Sequence, residues 1–440
     1  MSAASSDATQ SGLIYRVLGP KRQEYVAAAW SFVLFFCILS AYYSLRSVRE
    51  TMAVEGGIQN IPWLFSGTFT VMLFAAPIFG WIASRFPRRR FLPWVYGFFV
   101  INILLFWAGF SWAIANEQDY VWTGRAFFVW LSVFNLFVVS VFWSFMADIW
   151  SKEQGRRLFG FISAGGSIGA MLGPLATGML VVPLGFRNIL PMAAMLLVFA
   201  AIGVIQLRRW VESEHVDDRQ LTVASTKPLG GSPLAGISHV MQSKYLGGIV
   251  LQSVIASLMG TALYVFMAQL VGEAYPDVDE RTRFFALVDS ATNALSFAGQ
   301  LLIVRHVVRR WGIGTSLSFL PIVSLVGFIL LAINPVLATV AALQVVRRSL
   351  GFGFSKPTTD MLYSVVTPEE KYKAKNFVDT AVYRGGDLIG IWAVRLMAPL
   401  GIIGISLVMV PFAILWFLNA KFLGRSYVRR DKTGIRNATP

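Results

Sequence analysis

Ionisable side chains occur within long apolar stretches of this sequence, where a buried charge is costly and usually serves a function. Arg347 and Arg348 lie about 12 residues into one such stretch, and Arg384 and Asp387 lie within the next. A guanidinium presents its N–H donors in a planar fork that matches the oxygens of a carboxylate or a phosphate. These residues therefore predict a site that binds an anion.

Arg347 and Arg348 are adjacent, so their side chains point about 100° apart on a helix. We expect one of them to line a cavity and the other to contact a protein group. The alternative is a purely structural ion pair for both.

A second group of charges lies near the end of the first apolar stretch. Tyr42, Arg46, Arg49 and Glu50 are spaced so that all four fall on one face of a helix. This face is a second candidate for binding. The alternative is that both arginines extend to lipid headgroups.

Two further acids complete the candidate set. Asp289 begins a polar stripe that continues through Asn293 and Gln300, and Asp379 lies five residues before Arg384. Arg384 and Asp387 are three residues apart and can pair along one helix face. If the acids are used in such pairs, the remaining arginines favour an anionic substrate. The predicted substrate-binding residues are Arg46, Arg49, Glu50, Asp289, Arg347, Arg348, Asp379, Arg384 and Asp387.

The apolar stretches around these charges predict membrane-spanning helices. Hydrophobic residues make up 56% of the 440 residues and charged residues 14%, which is outside the range of soluble domains. Apolar runs of about 20 residues, enough to cross a bilayer, recur along the chain. We predict an all-α membrane protein with twelve transmembrane helices in two pseudo-symmetric six-helix bundles. The first 24 residues are polar, so no cleaved signal peptide is expected.

A polar stretch separates the first six predicted spans from the last six. The predicted organisation is a tail at 1–24, a bundle at 25–207, a linker at 208–244, a bundle at 245–421 and a tail at 422–440. Lysine and arginine residues concentrate in the segments that share a side with the N-terminus. By the positive-inside rule, this pattern predicts that both termini are cytoplasmic.

The two halves of the chain repeat each other at a spacing of 220 residues. Gly165-Gly166 corresponds to Gly385-Gly386, and the loop arginines at 85, 89 and 90 correspond to those at 305, 309 and 310. Such a repeat is typical of secondary transporters. The repeat fails inside the membrane, where Ala164 corresponds to Arg384 and Ser167 to Asp387.

Two motifs resemble the major facilitator superfamily. The loop GWIASRFPRRR at 80–90 is similar to the loop motif of that superfamily, although Ser84 replaces its acid and Pro87 its glycine. In the fifth span, the glycine series from Gly160 to Thr177-Gly178 is similar to the antiporter motif, with Thr177 in place of a glycine. The predicted gating and packing residues are Arg85, Arg89, Arg90, Gly169, Gly173 and Pro174. The alternatives are a merely basic loop and ordinary small-residue packing.

A narrower resemblance covers nearly the whole chain. The segments 46–65, 148–166 and 369–387 look like the bacterial branch of the superfamily that is grouped with the ATP:ADP antiporters. The resemblance implies an alternating-access exchanger of an anionic metabolite, with nucleotides as the first expectation. It also implies that the chain lies in a bacterial inner membrane.

Two other functions stay open. One is proton-driven transport, with Asp289, Asp379 or Glu50 as the proton carrier, and the remote one is a non-transport membrane protein. The sequence contains no Gly-rich phosphate loop that ends in Gly-Lys-Ser or Gly-Lys-Thr, so any nucleotide is expected to be cargo. No catalytic residue, metal site or cofactor is predicted. The expected partners are a small anionic substrate and the bilayer, without nucleic acid, and the chain is expected to be a monomer.

Overall fold

The computed structural model describes residues 24–85, 88–213, 243–302, 304–366, 374–375 and 377–438, and these residues form helices and short connections without a strand. The first six helices are α1 (Tyr25–Glu55), α2 (Ile61–Arg85), α3 (Arg88–Ala115), α4 (Val121–Ile149), α5 (Lys152–Leu184) and α6 (Phe186–Ser213). The others are α7 (Lys244–Ala274), α8 (Val278–Leu302), α9 (Val304–Ile333), α10 (Leu337–Leu350), α11 (Lys356–Met361), α12 (Tyr383–Leu396) and α13 (Gly401–Ala438). With α10 and α11 taken as one interrupted helix, the described residues contain twelve long helical segments, as predicted.

Eight helices in the described part of the chain are long and apolar enough to cross a membrane, by length and composition. They are α1, α3, α4, α5, α6, α7, α9 and α13. Three of the other segments, α8, α10 with α11, and α12, contain Asp289, Arg347, Arg348, Arg384 and Asp387. Helices α10, α11 and α12 are 14, 6 and 14 residues long, so each is too short to cross a membrane by itself. The interrupted helices and α8 contain most of the predicted binding residues.

The ends of several helices differ from the predicted boundaries. Helix α1 continues to Glu55, so that Arg46, Arg49 and Glu50 are all helical. Helix α13 continues to Ala438, so the predicted tail at 422–440 is helical over its described length. The linker is helical up to Ser213 and from Lys244, and residues 214–242 lie outside the described part of the chain, as do residues 1–23 of the predicted N-terminal tail.

Two π-helical turns interrupt the second half, one directly before the short helix α11 and one directly before α12. The first is Gly351–Ser355, between α10 and α11, and the second is Val378–Val382, directly before α12. A π-turn inserts an extra residue into the helical register, and such turns are frequent at functional sites. Both turns lie beside the charged residues of the second half.

The described residues form two compact units. One unit is drawn from Met1–Arg49, Val71–Lys227 and Thr282–Ser290, and the other from Glu50–Thr70, Pro228–Arg281 and Ala291–Pro440. These units are not the two predicted bundles, because α1 and α8 are each divided. The predicted boundaries at 25–207 and 245–421 stay a prediction.

Helix α5 packs closely on α1 through its glycines. A Cβ atom at Gly165 would lie 2.5 Å from the Phe32 carbonyl oxygen, and one at Gly173 would lie 2.5 Å from that of Ser40. Ser40 Oγ also donates to the Gly169 carbonyl oxygen over 3.2 Å. A side chain at these positions would push the two helices apart, so glycine is required for this close approach.

Helix α12 packs on α7 in the corresponding way. A Cβ atom at Gly386 would lie 3.1 Å from the Ser257 Cβ atom, and one at Gly390 would lie 2.5 Å from Thr261 Oγ1. Since α12 and α7 follow α5 and α1 at the 220-residue spacing, the same helix pair recurs in each half. The repeat in the sequence is thus matched by a repeat in packing.

Candidate functional site

The arginines of α10 and the charges of α12 lie together in the second half of the chain. Arg347 and Arg348 occupy the last turn of α10, directly before the first π-turn. Arg384 and Asp387 lie in the first turns of α12. All four lie within electrostatic range of Tyr383. We call these five residues the arginine cluster.

Arg347 lies against the backbone of α7. Its Nη1 atom donates to the Ala256 carbonyl oxygen over 3.2 Å. A Cβ atom at Gly260 would lie only 2.6 Å from Arg347 Nη2, so the missing side chain leaves the space that the guanidinium occupies. Within the described residues, no carboxylate lies within ion-pair distance of this side chain, and its Nε atom has no hydrogen-bond partner.

Asp387 is held by α7 rather than by its neighbour on α12. Its carboxylate accepts a hydrogen bond from Ser257 Oγ. The pair that the sequence suggested, Arg384 with Asp387, is not formed as an ion pair in the described structure. The reason is that Gly386 brings this turn of α12 against Ser257, which places the adjacent carboxylate on the α7 side. Arg384 itself is exposed.

The arginine cluster has an excess of positive charge. Three guanidiniums and one carboxylate give a formal net charge of +2. In surroundings of low dielectric constant, these charges attract an anion more strongly than they would in water. Guanidinium donors match the oxygens of a phosphate or carboxylate group.

Asp379 belongs to a separate network of charges. Lys356 Nζ lies 2.7 Å from Asp379 Oδ1 and 3.2 Å from Asp360 Oδ1, and Lys375 Nζ lies 3.1 Å from the same Asp360 atom. This network joins the end of the first π-turn to the second. Lys356 is not among the predicted site residues, although a lysine nine residues after Arg347 in an apolar stretch is a usable signal.

The arginines of α1 contact protein groups. Arg46 Nη1 lies 3.5 Å from Asp289 Oδ1, and only 4% of the Asp289 side chain is exposed. Arg49 donates to Ser132 Oγ over 3.4 Å and lies over the Phe128 ring, 4.6 Å from its centroid. Neither guanidinium is directed only outward, as the headgroup alternative would require.

The acids of α1 also have protein partners. Tyr264 OH donates to Glu50 Oε2 over 2.7 Å, and Glu50 is buried. One turn further on, Glu55 forms an ion pair with Arg281. These contacts tie the second part of α1 to α7 and α8.

The predicted gating and packing residues fall into two groups. Gly169, Gly173 and Pro174 are buried in α5, and the two glycines face α1. The side chains of Arg85, Arg89 and Arg90 lie outside the part of the chain that the structure describes. A role in gating stays a prediction for both groups. In the described residues, no group of three or more His, Cys, Asp or Glu side chains is placed to hold a metal ion.

Comparison with known proteins decides the family. The model of the Major Facilitator Superfamily matches residues 30–391. The chain belongs to the Major Facilitator Superfamily. It is therefore a multi-pass membrane transporter of small molecules and not an enzyme, and the predicted fold class is confirmed.

Relatives within the superfamily include carriers from Chlamydia. ADP,ATP carrier protein 2 of Chlamydia pneumoniae is 20% identical, over 92% of this chain and 89% of the carrier. ADP,ATP carrier protein 1 of Chlamydia trachomatis is 23% identical, over 90% of this chain and 88% of the carrier. The predicted resemblance to the superfamily is confirmed. These relatives are ADP,ATP carriers, which agrees with the predicted resemblance to the branch that is grouped with the ATP:ADP antiporters.

Solved structures show the same fold. A bacterial homologue of the iron transporter ferroportin aligns with a TM-score of 0.66 at 11% identity and covers 90% of this chain and 99% of its own. A nucleoside transporter aligns with a TM-score of 0.61 at 14% identity and covers 94% of this chain and all of its own (100%). At these identities the likeness concerns the major facilitator fold alone.

Proposed function

We propose that this superfamily member is an exchanger of an anionic metabolite, with adenine nucleotides as the first candidates, and that the arginine cluster binds the anion. This proposal rests on the partners of the charged groups in the arginine cluster. Arg347 and Arg384 form no ion pair in the described structure, and the one carboxylate of the cluster is bonded to Ser257. A phosphate or carboxylate group would supply the missing partner.

The arginines of α10 and α12 supply the largest share of the affinity. A hydrogen bond to a charged group contributes about 1.5 to 3 kcal/mol, and bidentate geometry adds selectivity for planar or tetrahedral oxyanions. Arg348 lies beside Arg347 and adds its charge to the same region. The residues of α1 have a different role, since Arg46 forms an ion pair with Asp289 and Glu50 accepts a hydrogen bond from Tyr264. They hold α1 in place.

The relatives support nucleotides as the first substrates to test. The Chlamydia proteins that match nine-tenths of this chain are ADP,ATP carriers. A nucleotide presents several phosphate oxygens, which match a cluster with a formal charge of +2. The chain then works by alternating access as a monomer in a bacterial inner membrane, with both termini in the cytoplasm.

Counter-exchange in proteoliposomes tests this proposal. Vesicles that contain the purified protein are loaded with ADP, and uptake of labelled ATP is followed with and without a protonophore. We expect uptake to require internal ADP and to persist when the proton gradient is collapsed. Uptake that needs no internal nucleotide and is abolished by the protonophore would instead support the proton-driven alternative, with Glu50, Asp289 or Asp379 as proton carrier.

Removal of either arginine tests the site. Arg347→Ala and Arg384→Ala should each weaken the apparent affinity for the nucleotide by about tenfold or more, because each removes a charged hydrogen-bond donor. Arg395→Ala is the matched control, since Arg395 is an exposed arginine on the same helix α12, about three turns beyond Arg384. Insertion should be unchanged in all three. Normal transport in both cluster variants would refute the assignment.

A further inference from the structure

Asp387 is the carboxylate best placed to compete with a substrate anion. It lies three residues after Arg384 on α12 and within electrostatic range of both Arg384 and Arg347. On a helix, residues at this spacing are neighbours and can form an ion pair. A freely rotating Asp387 would therefore neutralise one of the guanidiniums that the substrate needs.

The structure shows why this pairing does not occur. Ser257 Oγ donates a hydrogen bond to Asp387 Oδ1, from the face of α7 on which α12 packs. The contact is fixed by close packing, because a Cβ atom at Gly386 would lie only 3.1 Å from the Ser257 Cβ atom. The hydroxyl thus holds the carboxylate against α7 while Arg384 stays exposed.

The internal repeat supports a functional link between the two residues. At the 220-residue spacing, Ser257 corresponds to Cys37 and Asp387 to Ser167. The first half has a thiol in place of the Ser257 hydroxyl and a hydroxyl in place of the Asp387 carboxylate. Instead, Ser167 Oγ bonds within its own helix to the Ser163 carbonyl oxygen. Both members of the pair therefore occur only in the half that contains the arginine cluster.

We propose that Ser257 is a positioning residue for anion binding: its hydroxyl holds the Asp387 carboxylate away from Arg384 and Arg347. This inference rests on the proposed binding of an anion by these arginines. It gives Asp387 a role that the sequence did not suggest. The carboxylate is an internal competitor of the substrate and not one of its ligands.

Four variants of the full chain test the proposal. Ser257→Ala frees the carboxylate, Asp387→Asn removes its charge, and the double variant does both. Ser253→Ala is the matched control, because Ser253 lies one turn earlier on α7 and its hydroxyl bonds only to the Ile249 carbonyl oxygen of its own helix. ADP and inorganic pyrophosphate serve as the probes, in binding titrations of detergent-purified protein and in exchange assays.

The expected pattern is one that a purely structural serine would not produce. Ser257→Ala should raise the Kd and the KM for ADP by about tenfold with little change in the maximal rate, because one guanidinium becomes neutralised. Asp387→Asn should bind ADP more tightly than the unaltered protein. The double variant should bind as Asp387→Asn does, so that removal of the charge rescues the loss of the hydroxyl.

A second measurement does not depend on the substrate. Phenylglyoxal modifies unpaired arginines, and peptide mass spectrometry reads its rate at Arg384. The rate should fall in Ser257→Ala and recover in the double variant. If these rates change but no anion binds to any variant, the positioning role holds and the proposed function is wrong. If anions bind but Ser257→Ala changes neither Kd nor rate, or the double variant is as weak as Ser257→Ala, the positioning role is overturned.

Discussion

At the scale of single residues, the arginines of this transporter differ by their partners. Arg46 forms an ion pair with the buried Asp289, whereas Arg347 donates one hydrogen bond to a backbone carbonyl oxygen. A buried ion pair is weakly stabilising as a whole, but removal of one partner is expensive because the other charge is left buried. The two kinds of arginine should therefore respond differently to mutation.

The Arg46–Asp289 pair gives a prediction about stability. Asp289→Asn should lower the free energy of unfolding by about 3 kcal/mol, because Arg46 then lacks its carboxylate. The double variant Arg46→Gln with Asp289→Asn should recover most of this loss, since no isolated charge remains. Thermal unfolding of the protein in detergent measures both. A double variant that melts below Asp289→Asn would show that the two residues are not coupled in this way.

At the scale of helices, the second half repeats the packing of the first and adds space for a charge. Ser40 on α1 corresponds to Gly260 on α7 at the 220-residue spacing. Ser40 uses its hydroxyl to bond α5, whereas the absent side chain of Gly260 makes room for the Arg347 guanidinium. The same position therefore serves helix packing in one half and arginine placement in the other.

This difference gives a prediction for α7. Gly260→Ala should displace the guanidinium, because the new Cβ atom would lie 2.6 Å from Arg347 Nη2. Since that atom ends a flexible side chain, the helix should fold normally and the apparent affinity for the proposed anionic substrate should fall several-fold. Gly247→Ala on the same helix is the control, because its Cβ atom would meet nothing within 4 Å. Equal affinities of the two variants would contradict this placement of Arg347.

At the scale of the whole molecule, the charges outside the spans predict the orientation of the chain in the membrane. The basic loops and linker predict that both termini are cytoplasmic. The exposed ends of helices in the described structure allow this to be measured. Gln118 lies in the short connection before α4, and Glu212 lies near the end of α6.

Single cysteines at these two positions test the orientation. The buried Cys37 is first replaced by serine, since it is the only native cysteine. An impermeant maleimide should label Gln118→Cys in intact spheroplasts, and it should label Glu212→Cys only after the membrane is permeabilised. The opposite pattern would invert the predicted topology.

Sequence alone identified the transmembrane class, the number of long helical segments, the internal repeat and the superfamily. These features depend on composition and on spacings along one chain, which the sequence displays directly. It also selected Arg347, Arg384 and Asp387, because charges in apolar spans are rare and costly.

Only the tertiary structure decided which groups these charges meet. The sequence suggested that Arg384 pairs with Asp387. In the structure, Gly386 lies close to α7, and the Asp387 carboxylate accepts a hydrogen bond from Ser257 instead. The sequence also did not indicate that Lys356 pairs with Asp379 or that Gly260 lies against Arg347, because these partners are distant along the chain. Contacts between helices depend on how closely two backbones approach each other, and the spacing of residues along a single helix does not determine that distance.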